Sequence, residues 1–268
     1  NVFFYRLAEH GTDRSAIILI LLSISLIFQI LDNKKLNNQM FENLIIFLTF
    51  IVSLKSFYVI YGLLFFVVYF KYFSISKISN FYKSFRIVNL SIIFVILILF
   101  YNIAYTGCLI YPVSFTCFES FYWSLDISRI EWAASFYELW SKAGATPTYR
   151  VDNPENYISG FNWLTVWTEN YFFNKVSDTI IGLIVTVLIF FVVFKPKKNK
   201  FEIISEHKII YLVLLLYAFE WFFNHPSLRY GGYHLLALIF FIPASIFLSS
   251  QGYSYIKNLK KIQLILLI

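Results

Sequence analysis

Four short clusters hold most of the side chains in this sequence that could do chemistry. The first gathers Arg6, Glu9, His10, Asp13 and Arg14, five ionisable groups within nine residues. Glu9 or Asp13 could act as a general base or bind a metal. Arg6, His10 and Arg14 would hold substrate or phosphate beside them, because a guanidinium offers planar, two-pronged donors. The plainer alternative is a solvated helix start, with Thr12 or Asp13 capping the helix that begins near Ser15. The second cluster is a single residue, Lys55, inside a long apolar run. It either snorkels to an interface or meets a phosphate there.

The third cluster runs from Gly107 through Cys108, Tyr111, Pro112 and Cys117 to Trp123, Glu131, Trp132, Trp140, Trp163 and Trp167. Tyr111-Pro112 marks a turn at a helix end. The tryptophans form either an interfacial aromatic belt with a small loop core or a shelf for sugar rings. In the second case Asn162 and Glu169 would accept hydroxyl hydrogen bonds, and Trp163 would hold the sugar. The fourth cluster holds Glu220, Asn224, His225, Pro226, Ser227, Arg229, Tyr230, Gly231, Gly232, Tyr233 and His234. Proline and two glycines set a tight turn that lets backbone approach a ligand. Glu220 lies within an apolar run, where an ionisable group faces a bundle interior or a wet cavity. Arg229 is its natural partner, as part of a site or of a purely structural lock.

The elements that must position these clusters are apolar. The 268 residues are 59% hydrophobic and 14% charged, with 32 Phe, 20 Tyr and a mean hydropathy of +0.68. A soluble domain carries about 25% charged residues. Apolar segments fall at 16–31, 43–70, 88–105, 179–194, 209–223, 235–250 and a short last run at 262–268. These predict an all-α, polytopic transmembrane bundle of about seven complete or partial spans plus a truncated last one. It forms a single integral-membrane unit over 1–268. The start at Asn1 without Met and the seven-residue final run read as a piece of a longer chain, since a span needs about 20 residues.

Basic residues set the orientation. The connections 71–86, 195–208 and the stretch around Lys257 are lysine-rich and read as cytoplasmic. Segments 106–177 and 224–234 then lie outside, the former as a periplasmic loop insertion. Residues 125–143 predict a short amphipathic helix there, with an apolar stripe of Ile127, Ile130, Ala134, Tyr137 and Trp140, lying on the membrane surface or over the bundle. As one helix, 43–70 would be roughly 42 Å long, and a central lysine costs about 2.5–3.5 kcal/mol. Both facts favour two short segments joined at Lys55. That break puts the first cluster on the outer face with the third and fourth.

The net charge of +7 follows from this loop asymmetry. The outer face has no contiguous basic patch interleaved with aromatics, which argues against a nucleic-acid partner. Phosphate-binding loops, nucleophile elbows and zinc-type His/Cys spacings are absent from the sequence. No cofactor is required, and nothing in the spacing supports a divalent metal. Cys108 and Cys117 are either two small apolar residues or a disulfide pair in an oxidising compartment.

The segments Arg6–Asp13, Cys108–Pro112 and Pro226–Gly232 resemble bacterial polytopic inner-membrane proteins of surface-polysaccharide loci, similar to GT-C glycosyltransferases and O-antigen polymerases. The resemblance implies a multi-pass protein of the bacterial inner membrane acting on polyprenyl-phosphate-linked glycans at the periplasmic face. An outer carboxylate, Glu9 or Asp13, would be the catalytic base, with Arg14, Lys55 and Arg229 on the pyrophosphate. The competing readings are a transporter or flippase with Glu220, Arg229 and His234 lining its path, and a non-catalytic assembly subunit.

Overall fold

The computed structural model describes residues 13–32, 36–72, 86–146, 149–194 and 204–249. It is mainly helical. Helix α1 (Asp13–Leu31) is followed by α2 (Asn38–Leu54), a 3-10 segment (Ser56–Leu63) and α3 (Leu64–Tyr72). Helix α4 (Arg86–Thr106) leads into a long connecting segment that carries α5 (Ile127–Ser141) and a two-strand ribbon, β1 (Ala145–Thr146) and β2 (Tyr149–Arg150). After α6 (Pro154–Ile158), α7 (Leu164–Trp167) continues through a π-helix (Thr168–Val176) into α8 (Ser177–Phe194). Helices α9 (Ile204–Asn224) and α10 (Gly232–Ser249) are joined by a short turn.

Sequence period explains the packing. Along α1, Ala16, Ile17, Ile20, Ile24, Ile27, Ile30 and Leu31 are buried at helical spacing. All but Ile17 join Phe41, Leu44, Leu48 and Ile51 of α2, and Leu214, Trp221 and Leu238 of α9 and α10, in one core. Asn37 caps α2, its side chain accepting from the Met40 N–H at 3.2 Å.

The break expected near Lys55 is present. Lys55 is extended (φ −159°, ψ 120°) between α2 and the 3-10 segment, and its N–H still donates to Ile51 O at 3.4 Å. The chain reverses there, so the ends of α1 and α3 meet at the opposite end of the bundle. Tyr72 donates to Ile30 O at 2.5 Å, and Lys71 donates to Leu31 O.

Among the described residues, three helices are long and apolar enough to cross a membrane: Asp13–Leu31, Ile87–Thr106 and Leu164–Val192. Shorter apolar helices cover Asn38–Leu54, Tyr58–Tyr72 and Gly232–Ile246. The second and third of the long helices turn large apolar side chains outward. Leu90, Ile93, Leu97 and Phe100 on α4, and Ile181, Leu188 and Val192 on α8, are all more than half exposed. The predicted run 262–268 and most of the lysine-rich connections lie outside the described residues.

The core and the outward face predict opposite responses to truncation. Leu44→Ala, at a fully buried position, should destabilise by about 2–5 kcal/mol. Leu97→Ala on the exposed face should stay within about 0.5 kcal/mol. Unfolding midpoints of the purified variants check this; equal losses would mean that the outward face of α4 is packed.

Candidate functional site

Three of the four clusters meet at one end of the bundle. Asp13 opens α1, where the helix dipole favours a carboxylate. Its two oxygens are both taken: Lys55 donates to Oδ1, and Arg229 Nε donates to Oδ2 at 2.6 Å. The Asp13 side chain is 4% exposed, whereas Lys55 is 28% and Arg229 50% exposed. The carboxylate is therefore an anchor beneath two cations that still reach solvent. Among the described residues Asp13 engages Arg229 only at Nε, so its terminal amino groups stay available to a ligand. Tyr230 packs under both cations, with Lys55 Nζ 5.0 Å and Arg229 Cζ 5.8 Å from its ring centre.

These cations border a cavity of about 760 Å³, within the size range of small-molecule sites. Lys55, Arg229, Glu220 and His225 line it on the bundle side, and Tyr111 and Glu138 line it from the segment between α4 and α8. Glu220 Oε1 accepts from the Asn224 amide at 3.1 Å. Glu138 pairs with Lys142 one turn further along α5, at 2.5 Å.

The outer wall is held by covalent and aromatic constraints. Cys108 and Cys117 form a disulfide that closes a small loop. Within it Thr116 bonds Ile110 in both directions, its Oγ1 accepting from the N–H at 3.1 Å and donating to the C=O at 3.0 Å. Ile110, Tyr111, Pro112 and Val113, the middle of that loop, face the cavity, and the Tyr111-Pro112 peptide is cis. Gly107 begins the loop at φ +81°, with Ser124 Cβ 2.5 Å from where a Cβ would stand. Behind it, Leu139, Tyr157, Trp163, Trp167 and Leu228 form a second core.

Several expectations need correction. Arg229 pairs with Asp13, not Glu220. Asp13 is not placed as a base, because both of its oxygens are occupied and it is nearly buried. Arg14 is buried, its guanidinium 4.9 Å from the Tyr233 ring centre, and does not line the cavity. Trp163 is fully buried, with its N–H on Gly160 O at 2.9 Å and Lys142 against its ring; it is a core residue and no sugar shelf. His234 is also fully buried, bonded to Tyr61 through Nε2, away from the cavity lining. The expected helix spans Ile127–Ser141, but its stripe does not act as one face: Ala134 and Tyr137 line the cavity, whereas Ile130 is buried and Trp140 is exposed. Asp126 precedes it without a side-chain capping bond. Arg6, Glu9 and His10 lie outside the described residues.

Tyr137, Glu138, Asn224 and Tyr230 also line the cavity; Asn224 and Tyr230 belong to the fourth cluster, whereas Tyr137 was read only as part of an apolar stripe and Glu138 was not read at all. Spacing alone carried a signal for two of them. Ala134, Tyr137 and Glu138 stand at i, i+3 and i+4, so a helix that buries the first against a ligand space presents the others to it.

A family model for a domain of unknown function, DUF8201, matches residues 1–236. The chain belongs to the DUF8201 family. That span includes Asp13, Lys55, Arg229 and every residue lining the cavity, so the site lies within the DUF8201 domain. No curated protein and no solved structure matches the chain. Among the described residues, no group of three His, Cys, Asp or Glu is arranged to hold a metal ion.

Burial, reinforced by Lys142 and Lys55, pushes the His225 imidazole down to about 4 from its ordinary 6.5. The folded chain thus prefers neutral His225. Its contribution to stability is complete above pH 6.5 and is lost as pH falls through about 4. Wild type should lose up to about 3 kcal/mol through this group between pH 7 and pH 4. His225→Gln should flatten that part of the slope, as read from unfolding midpoints at several pH values.

Removing the disulfide tests the cavity wall. Cys108→Ser/Cys117→Ser should raise the solvent reactivity of a probe at Val113 severalfold while the α1–α2 core stays intact. Unchanged probe reactivity would mean that the Thr116 bonds alone hold the wall.

Proposed function

We propose that this protein is a polytopic membrane glycosyltransferase or polysaccharide polymerase acting on polyprenyl-phosphate-linked sugars at the periplasmic face of the bacterial inner membrane. The observation that carries this reading is the pair of partly exposed cations, Lys55 and Arg229, fixed by one buried carboxylate at the edge of a cavity that also presents Glu220 and His225. Two cations at one edge suit a phosphate or pyrophosphate. Carboxylates, amide and phenols on the other walls suit sugar hydroxyls.

Seven crossings accompany this reading: α1, α2, the 3-10 segment with α3, α4, α8, α9 and α10. Three of these are long enough by themselves, and the exposed apolar faces of α4 and α8 support hydrocarbon as their surroundings. The crossings alternate so that Asp13, Lys55, segment 107–176 and the 225–231 turn share the outer face. A disulfide in that segment agrees with an oxidising compartment.

In the proposed reaction an acceptor hydroxyl attacks the anomeric carbon of the lipid-linked sugar. A C–O bond forms to the acceptor oxygen, and the anomeric C–O bond to phosphate breaks. The phosphate oxygen leaves with the electron pair, and Lys55 and Arg229 stabilise its charge. Glu220, with one oxygen on Asn224, takes the hydroxyl proton. The resemblance assigns this step to Glu9 or Asp13; Glu9 lies outside the described residues. Asp13 is a positioning residue.

A transporter would need a polar path that continues through the bundle. Below the cavity the described polar groups are instead packed: His234 is sealed against Tyr61, and Tyr217 donates to Ile60 O at 3.0 Å. This supports chemistry at one face over passage.

Complementation of a deletion strain, scored by surface-glycan length at matched protein level, tests the reading. Arg229→Ala and Glu220→Gln should each reduce glycan extension by about 10²-fold or more. Normal glycan from both variants would contradict it.

A further inference from the structure

A second cavity, of about 400 Å³, opens among the π-helix, α8, α9 and α10 and shares no lining residue with the first. Trp167, Phe172, Val176, Ile180, Trp221 and Leu236 form most of its wall. The wall's few polar atoms are already engaged. Trp167 Nε1 donates to Pro226 O at 2.9 Å, Trp221 Nε1 to Ser227 O at 2.7 Å, and Thr168 Oγ1 to Leu164 O at 2.7 Å. A sugar, a headgroup or a peptide would find no hydrogen-bond partner here, so the occupant must be wholly apolar. The groove lies at the outer end of Leu164–Val192, one of the helices apolar enough to cross a membrane; Ile180, Trp221, Phe222 and Leu236 of its wall belong to the proposed crossings α8, α9 and α10, so hydrocarbon chains reach it from that side.

The groove differs from the rest of that helix surface. Leu188 and Val192 stand out at 56% and 72% exposure, whereas Val176 and Trp167 are recessed to 2% and 4%. The wider turns of the π-helix open the space between them, and such segments recur at functional positions. Its walls also hold the Arg229 turn. Besides the two tryptophan bonds, the Tyr171 hydroxyl accepts from Leu228 N–H at 2.9 Å and lies 3.3 Å from Ser227 Oγ. Three consecutive residues before Arg229 are therefore tied to the groove's frame.

We propose that this groove seats one acyl chain of a membrane phospholipid, which braces the frame that presents Arg229 to the outer cavity. The proposal rests on the membrane placement above but not on glycosyl transfer. The whole protein, in vesicles of phosphatidylethanolamine and phosphatidylglycerol, is photolabelled with a phosphatidylethanolamine carrying a mid-chain diazirine. Adducts are mapped by peptide mass. Label should concentrate on Phe172, Val176 and Ile180 at least fivefold over Leu188 and Val192. Ile180→Trp and, separately, Val176→Trp should bring the groove label down to the Leu188 level and leave Leu188 itself unchanged. Equal labelling of groove and outer face would overturn the proposal, as would label that survives both substitutions. Competition of the groove label by excess polyprenyl phosphate would also overturn it, by assigning the groove to that chain. None of these readouts involves glycan extension, so failure here and failure of the transferase reading are distinguishable.

Discussion

One buried carboxylate organises the outer end of this molecule. Asp13 binds Lys55 with one oxygen and Arg229 with the other, joining the start of α1, the α2 reversal and the turn between α9 and α10. Burying an unpaired carboxylate would cost several kcal/mol, and two charge-assisted hydrogen bonds offset that cost. The same arrangement serves the cations. Without Asp13, Lys55 and Arg229 would repel each other at the cavity rim; with it, both are held while their remaining donors stay exposed.

The rest of the outer end keeps this triad facing an enclosed space. Helix α5 covers the cavity with one face and buries Ile130, Ala133 and Leu139 with the other. The disulfide loop supplies the wall beside it. The Trp163–Trp167 core holds the turn from behind through Trp167, while Tyr171 and Trp221 tie its backbone at Ser227 and Leu228. Gly232 is needed where α10 leaves the turn, because a Cβ there would stand 2.6 Å from the Trp221 ring. The electrostatic site therefore depends on aromatic packing beneath it, and the two features cannot vary independently.

Much of this was legible in the sequence. Helix existence followed from apolar runs, and the reversal at Lys55 followed from helix length together with the cost of a mid-helix lysine. The cluster from Glu220 to His234 drew attention to the turn because charge, proline and glycine coincide within an apolar context. What local pattern could not supply was partnership. Asp13 and Arg229 are 216 residues apart, and nothing nearby distinguishes Asp13 from Glu220 as the acceptor. Trp163 and His234 were misassigned for a related reason: burial depends on what packs over a residue, and the residues over Trp163 (Lys142, Phe222) and over His234 (Tyr58, Tyr61) come from distant stretches. Glu138 was missed because its role depends on which face of α5 meets the cavity.

The central claim, that Asp13 sets Lys55 and Arg229 to hold a phosphate-type anion, is tested most directly by titrating inorganic pyrophosphate into the purified protein by calorimetry. Wild type should bind. Arg229→Ala and Lys55→Ala should each weaken binding about tenfold or more, as loss of a charge-assisted contact predicts. Asp13→Asn should weaken it as well, although Asp13 itself bears a negative charge. If Asp13→Asn instead tightens binding, as simple removal of a repelling anion would, the positioning account of this site is wrong.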